Sequence, residues 1–169
     1  MKLIEAMKEV KRLEEKIVDL KDKVGRYSAD LDYETPTYEN QAEKIKEWLQ
    51  SAHDSLKEAL RLRIAIQNTN LAIKVPIEIG KNKVEHTIAE WILRRRLYAK
   101  SELDIWGAVS TRNLREGSAT NSAGERVTVK VRMYFNPQER DEKIEEYRSE
   151  PNIIDRNLEI VNATTDLVE

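Results

Sequence analysis

Residues 3–24 have the sequence LIEAMKEVKRLEEKIVDLKDKV, and this stretch decides the fold class. Its apolar side chains recur with heptad spacing, the pattern of a helix that packs along a narrow seam against another helix. One seam position holds Leu3, Val10, Ile17 and Val24, and the other holds Ala6, Leu13 and Leu20. The stretch therefore predicts one helix of a coiled coil, whose partner lies either in the same chain or in a second copy.

A second apolar pattern follows a polar loop at residues 26–37 and continues to about residue 71. Its spacing is that of a wide helical stripe. The side chains that we expect to be buried are Ile45, Trp48, Leu49, Ala52, Leu56, Ala59, Leu60, Ile64 and Ile66. An antiparallel helical hairpin over residues 1–71 would bury both patterns and is our first interpretation. The alternative is a dimeric zipper, which makes Leu3, Val10 and Ile17 candidates for self-association.

A small β element is predicted near residues 72–80 and 126–135. Residues 72–80 alternate apolar and polar side chains around Pro76, which favours an edge strand. The alternation is clearest in the strand at 127–135, which follows an expected exposed loop at 113–126. The partner of this strand stays open between residues 72–80, residues 107–112 and the same strand of another subunit. Its candidate self-association residues are Val127, Val129 and Val131.

The rest of the chain predicts further helices. One is expected at about residues 84–106, and C-terminal helices are expected over 137–167. Residues 136–139 (NPQE) place a capping Asn, a first-turn Pro and a Glu where a helix begins. Pro151 should interrupt the helix that follows, because proline disfavours helical backbone in the residue before it. We therefore expect a mainly α fold, with residues 1–169 as a single helical domain.

Composition argues against several kinds of chemistry. The chain has no cysteine, which excludes disulfides, thiolate metal sites and a cysteine nucleophile. Its two histidines, His53 and His86, complete neither a Glu-x-x-His nor a His-Glu-x-x-His motif, and its five glycines form no phosphate-binding loop. We expect no catalytic residue, no metal site and no cofactor, and we expect that the protein is not an enzyme.

The charges are balanced overall but unevenly placed. There are 29 basic and 31 acidic residues, yet the middle of the chain is rich in arginine and lysine. A basic patch can neutralise phosphates without reading bases, so nucleic-acid contact is an alternative function. The candidate anion contacts are Arg94, Arg95, Arg96, Lys100, Arg112 and Arg115.

Two segments that are 94 residues apart resemble one another, and each carries an asparagine near the end of an apolar helix. The segments are 64–69 (IAIQNT) and 158–163 (LEIVNA). A buried amide must find hydrogen-bond partners. Asn68 and Asn162 are therefore predicted as buried amides that pin neighbouring helix ends, with helix capping as the alternative.

Three phrases carry a family resemblance: MKLIEA at the start, IQNTN at the end of the second helix, and NATTDL near the last residues. With the order of the elements, they resemble the septicolysin-like family of small, largely uncharacterised bacterial and phage-borne helical proteins. The resemblance implies a helical fold and a phage or particle context. The family's label also implies a membrane-active cytolysin.

Self-association is the function that we favour from these patterns. Packing between subunits would bury the apolar faces of the long amphipathic helices. It would also give a pairing partner to the strand, for which the sequence offers no obvious one. We expect a homo-oligomeric, non-enzymatic structural or interaction protein, which also binds other assembly proteins. No apolar run approaches the roughly 18 residues of a membrane span, and the N-terminus lacks the apolar core of a signal peptide. The expected location is the cytoplasm or a phage particle.

Overall fold

The computed structural model describes residues 1–168, which are mainly helical, as predicted. The helices are α1 (Leu3–Tyr27), α2 (Gln41–Ala72), α3 (Ile88–Leu93), α4 (Ala99–Ala108) and α5 (Pro137–Thr164). A π-helical segment, Arg94–Tyr98, joins α3 to α4. The strands are β1 (Lys74–Ile79), β2 (Asn82–Thr87), β3 (Gly117–Thr120) and β4 (Arg126–Val129).

These elements divide between two compact units. Unit 1 consists of Met1–Val75, Thr87–Ala89 and the chain from Leu158 onward. Unit 2 consists of Pro76–His86 and Glu90–Asn157. The sequence predicted one domain over residues 1–169, whereas the described residues pack as two units. The helical hairpin belongs to unit 1, and most of the β structure belongs to unit 2.

The heptad of α1 packs on α2 of the same chain. Leu3 and Val10 are 1% and 7% exposed, Ile17 is half-buried, and Val10 lies in one cluster with Ala59 and Leu62 of α2. The intrachain hairpin is thus confirmed. The alternative zipper through Leu3, Val10 and Ile17 is wrong, because this seam faces α2.

The inner face of α2 repeats with the heptad spacing of α1 and mixes small side chains with large ones. Its buried and half-buried members are Trp48, Ala52, Ser55, Ala59, Leu62, Ile66, Thr69 and Ile73. Val10 and Leu13 of the α1 seam lie in one cluster with Ala59 and Leu62 of this face, so large and small side chains interdigitate. The buried Ser55 hydroxyl donates to the Ser51 carbonyl at 2.7 Å, so it has a partner inside the helix.

The predicted burial of Leu49, Leu56, Leu60 and Ile64 is therefore wrong. These four side chains are between 43% and 60% exposed. The prediction assumed that α2 has a single apolar face. It therefore combined residues of the inner face with residues of the exposed face into one stripe. The inner face includes polar Ser55 and Thr69, which a search for apolar residues passes over.

An aromatic cluster closes the loop end of the hairpin. The rings of Tyr27, Tyr38 and Trp48 lie 5.3–5.8 Å apart, centroid to centroid. The Gln41 amide donates to the Tyr27 carbonyl at 2.9 Å, which ties the start of α2 to the end of α1. Edge-to-face rings stabilise such contacts by about 1 kcal/mol beyond burial.

The two chain ends meet at the opposite end of unit 1. The Leu3 backbone N–H donates to the Thr165 carbonyl and that of Leu167 donates to the Met1 carbonyl, both at 2.9 Å. The Lys2 ammonium lies 2.9 Å from Asp166, and this hydrogen bond holds the pKa of Asp166 below its ordinary value. The start of α1 and the segment after α5 therefore form one small backbone bridge.

Thr69, not an asparagine, pins this end of α2. Its fully buried hydroxyl donates to the Ala65 carbonyl at 2.7 Å and accepts from the Val168 backbone N–H at 2.9 Å. Asn68 is exposed and Asn162 is half-buried, so the prediction of two buried amides is wrong. Helical phase is the reason, since Thr69 points to the seam and Asn68, one residue earlier, points away from it.

Among the described residues, the four strands form two separate hairpins. β1 pairs with β2 through a turn at Gly80, whose φ of +60° suits glycine. β4 pairs antiparallel with β3, placing Val127 opposite Ala119 and Val129 opposite Gly117. The predicted partners within the chain, residues 72–80 and 107–112, are therefore wrong, and the strand itself ends at Val129.

The turn between β3 and β4 explains this pairing. The Asn121 side-chain oxygen accepts from the Ala123 and Glu125 backbone N–H groups at 3.0 and 2.9 Å, and Gly124 has a φ of +82°. Residues 113–126 are exposed, as expected, but they contain β3 and this turn rather than a loop throughout. The side chains at 117–120 are small, so this strand shows no alternation of apolar and polar residues in the sequence.

The helices of unit 2 also differ from expectation at two places. The third helix begins at Ile88, because residues 82–87 form β2. α5 continues through Pro151, so the predicted break there is wrong. Arg94 pairs with Glu150 before the proline and Arg95 pairs with Asp155 after it. These contacts hold the helix on both sides of the lost backbone hydrogen bond.

Replacing Thr69 with valine tests the pin. We expect Thr69→Val to lower the free energy of unfolding by about 1 kcal/mol, because the Val168 N–H loses its acceptor while shape is kept. Thr164→Val is the matched control: the Thr164 hydroxyl is exposed and bonds only within its own helix. Chemical denaturation measures both, and equal changes in the two variants would contradict the role of Thr69.

Candidate self-association surface

The solvent side of α2 carries a row of large apolar side chains. We call the row Leu49, Leu56, Leu60, Ile64 and Leu71 the outer stripe; its members are 43% to 65% exposed. At 100° per residue, all five fall within a sector about 80° wide. The inner face lies in a different sector of the helix. α2 is therefore apolar on two sides, and only one of them is covered.

The outer stripe follows a longer repeat than the inner seam. Leu49, Leu60 and Leu71 recur every 11 residues, and His53 and Gln67 occupy the gaps on the same face. A repeat of about 3.67 residues keeps such a row nearly straight along a helix, unlike the winding seam of period 3.5. From Leu49 to Leu71 the row is about 33 Å long at 1.5 Å per residue.

The arginines beside the stripe are paired within the chain. Arg61 lies 2.8 Å from Glu58, and Arg63 forms an ion pair with Glu14 of α1. The hydrogen bond from Arg61 lowers the pKa of Glu58. These exposed pairs add little stability, but they offset two positive charges beside the apolar row.

The valines predicted for self-association lie in and beyond β4. Val129 is 37% exposed, whereas Val127 and Val131 are half-buried. Val131 follows the strand, and its backbone N–H donates to the Glu116 carboxylate at 3.3 Å. It also lines a groove of about 520 Å³ with Met133 and Phe135. The three valines therefore do not form one flat apolar strand face.

Only part of the basic run at residues 94–96 of unit 2 forms ion pairs within the chain. Arg94 binds Glu150, which is fully buried, and its guanidinium carbon lies 4.9 Å from the centre of the Tyr98 ring. The hydrogen bond to Glu150 raises the pKa of Arg94. Arg95 binds Asp155, and this second pair is partly exposed. Two of the six candidate phosphate contacts are thus engaged with α5.

The other basic candidates are exposed. Arg96 and Lys100 lie about one turn apart, whereas Arg112 and Arg115 lie between α4 and β3. Arg112 and Asn113 both adopt positive φ, at 55° and 57°, which places Arg112 in a tight turn. The structure therefore leaves these four cations available, in two separate segments.

The described residues 1–168 hold no group of three or more His, Asp or Glu side chains placed to share a metal ion. His86 lies 3.8 Å from the Glu90 carboxylate, and its ring is 4.9 Å from that of Trp91. No helix within this part of the chain is both long enough and apolar enough to cross a bilayer.

Comparison with known proteins adds no relative: no protein-family model, curated protein or solved structure matches this chain. The surfaces described above are therefore the basis for proposing a function. Sequence reasoning missed the outer stripe because it assigned four of its five members, Leu49, Leu56, Leu60 and Ile64, to the core. The signal that separates the faces is the heptad of α1, which demands a matching heptad through Ser55 and Thr69 on α2.

Two consecutive arginines allow a matched test of the buried pair in unit 2. Arg94→Met leaves the buried Glu150 carboxylate without its cation, so we expect a loss of about 3–5 kcal/mol in the free energy of unfolding. Arg95→Met removes the more exposed pair with Asp155 and should cost less than about 1 kcal/mol.

Denaturant titrations of the two variants measure this difference. Adding Glu150→Gln to Arg94→Met should restore part of the loss, because the uncompensated charge is gone. Similar losses for the two single variants would show that the Arg94–Glu150 pair has no special role.

Proposed function

We propose that this chain is a non-enzymatic structural protein that self-associates through the outer stripe of α2. The observation that carries the proposal is the row of five large apolar side chains left exposed on one straight face. Exposed apolar patches of a few hundred Å² on a subunit are often functional contact sites. Two copies of the chain can cover each other's stripe, and closed homo-oligomers are the commonest solution of this kind.

The size of the surface indicates the strength of the contact. A row about 33 Å long and about 10 Å wide has a footprint of about 330 Å². This is well below the roughly 800 Å² per partner of a standard stable interface. The contact therefore supports a weak, concentration-dependent oligomer, whose subunits stay bound where they are locally concentrated.

Such a contact suits a component that is built into a larger assembly. Repeated weak contacts between copies add together when other surfaces hold the subunits close. A role in a phage or other particle follows from this proposal and from the family resemblance. Other assembly proteins would then bind through surfaces such as the exposed side chains of unit 2.

Charge introduced into the outer stripe tests the proposal. The mass of the wild-type chain, measured by light scattering from roughly 1 µM to 1 mM, should rise from 19.7 kDa toward twice that value. Leu60→Glu should remain at the mass of one chain, since apposed carboxylates would repel in an apolar contact. Leu97→Glu is the control, because Leu97 of unit 2 is 63% exposed and Leu60 is 60% exposed.

A wild-type chain that stays monomeric over the whole range would overturn the proposal. Equal loss of association in Leu60→Glu and Leu97→Glu would also count against the outer stripe. DNA retention that falls steeply between about 50 and 200 mM salt, with no change in mass, would favour the nucleic-acid alternative through Arg96 and Lys100.

A further inference from the structure

The outer stripe has the same pattern in both directions along α2. Counted outward from Leu60, the next members are Leu56 and Ile64, then His53 and Gln67, then Leu49 and Leu71. Each step outward is the same number of residues on both sides, and each pair has the same character: apolar, polar, apolar. A surface with this symmetry is complementary to itself when the second copy runs in the opposite direction.

We propose that two copies pack their α2 helices antiparallel across a two-fold axis at Leu60. Leu60 then contacts its own counterpart, Leu56 contacts Ile64 of the second copy, and Leu49 contacts its Leu71. His53 and Gln67 lie opposite each other as the polar pair. This inference rests on the proposed function, because it specifies how the self-associating face is used.

The charge distribution along α2 favours the antiparallel direction over the parallel one. Residues 41–56 contain three acidic and two basic side chains, whereas residues 57–72 contain one acidic and three basic. When Glu14 of α1, the partner of Arg63, is counted with the second half, that half keeps a surplus of one positive charge. A parallel pair would place the two positive halves together. An antiparallel pair places each positive half beside a negative half, and complementary charge sets register and direction.

Single cysteines provide the test, because the chain has no cysteine of its own. A disulfide needs Cα atoms within about 7 Å. Leu60→Cys should therefore form a covalent dimer on mild oxidation. Leu49→Cys alone and Leu71→Cys alone should not, since identical positions would lie about 33 Å apart along the axis. An equal mixture of Leu49→Cys and Leu71→Cys should cross-link. Leu97→Cys is the control, because it measures the cross-linking that random collision alone produces.

The outcomes separate this register from self-association itself. Cross-linking of Leu60→Cys and of the mixture, several-fold above Leu97→Cys, supports the two-fold. Self-cross-linking of Leu49→Cys and Leu71→Cys would show a parallel pair and overturn the inference. A rise in mass without any of these cross-links would also overturn the register but leave self-association standing. A chain that is monomeric at every concentration, with cross-linking no greater than for Leu97→Cys, would overturn both the antiparallel register and self-association itself.

Discussion

The packing of α1 against α2 is the contact from which the properties of the helical hairpin follow. α1 offers one narrow seam of large side chains, and a narrow seam can cover only one side of its partner. The matching face of α2 mixes small residues such as Ser55 and Ala59 with larger ones such as Leu62, which is fully buried. Because α1 covers only this face, Leu49, Leu56, Leu60 and Leu71 stay exposed on the outer face.

This arrangement gives α2 two apolar faces with different periods. The inner face follows the heptad of α1, and the outer stripe follows a repeat of 11 residues. One helix can carry both because the two faces occupy different sectors, whose centres lie about 130° apart at 100° per residue. The second face makes no contribution to the hairpin and stays exposed; contact with another copy through it is our proposal.

Unit 2 uses charged side chains for internal packing instead. In the Arg94–Glu150 pair the carboxylate is fully buried and the guanidinium is half-buried, and a buried ion needs its partner. Together with Arg95–Asp155, it holds α5 beside the residues of the π segment and allows the helix to contain Pro151. A run of three arginines in sequence is therefore only partly a surface feature, since two of the three serve the fold.

The sequence predicts the hairpin well because the heptad of residues 3–24 is regular and its consequence is local. It predicts α2 as a helix, but assigns Leu60 and Leu56 to the core, since Ser55 and Thr69 carry no hydrophobic signal. The partner of β4 is missed for a similar reason: Gly117–Thr120 has the composition of a loop and becomes a strand only through the turn at Asn121. Local rules predict a break at Pro151, and contacts distant in sequence override them.

The central claim is that one face of α2 is internal and the other is shared between copies. Leucine methyl NMR over a dilution series observes both faces at once in the unmodified chain. The methyl signals of Leu56, Leu60 and Leu71 should shift with concentration, whereas those of Leu13 and Leu62 should stay fixed. Signals that all stay fixed, or that move at Leu13 and Leu62 instead, would contradict the assignment of the two faces.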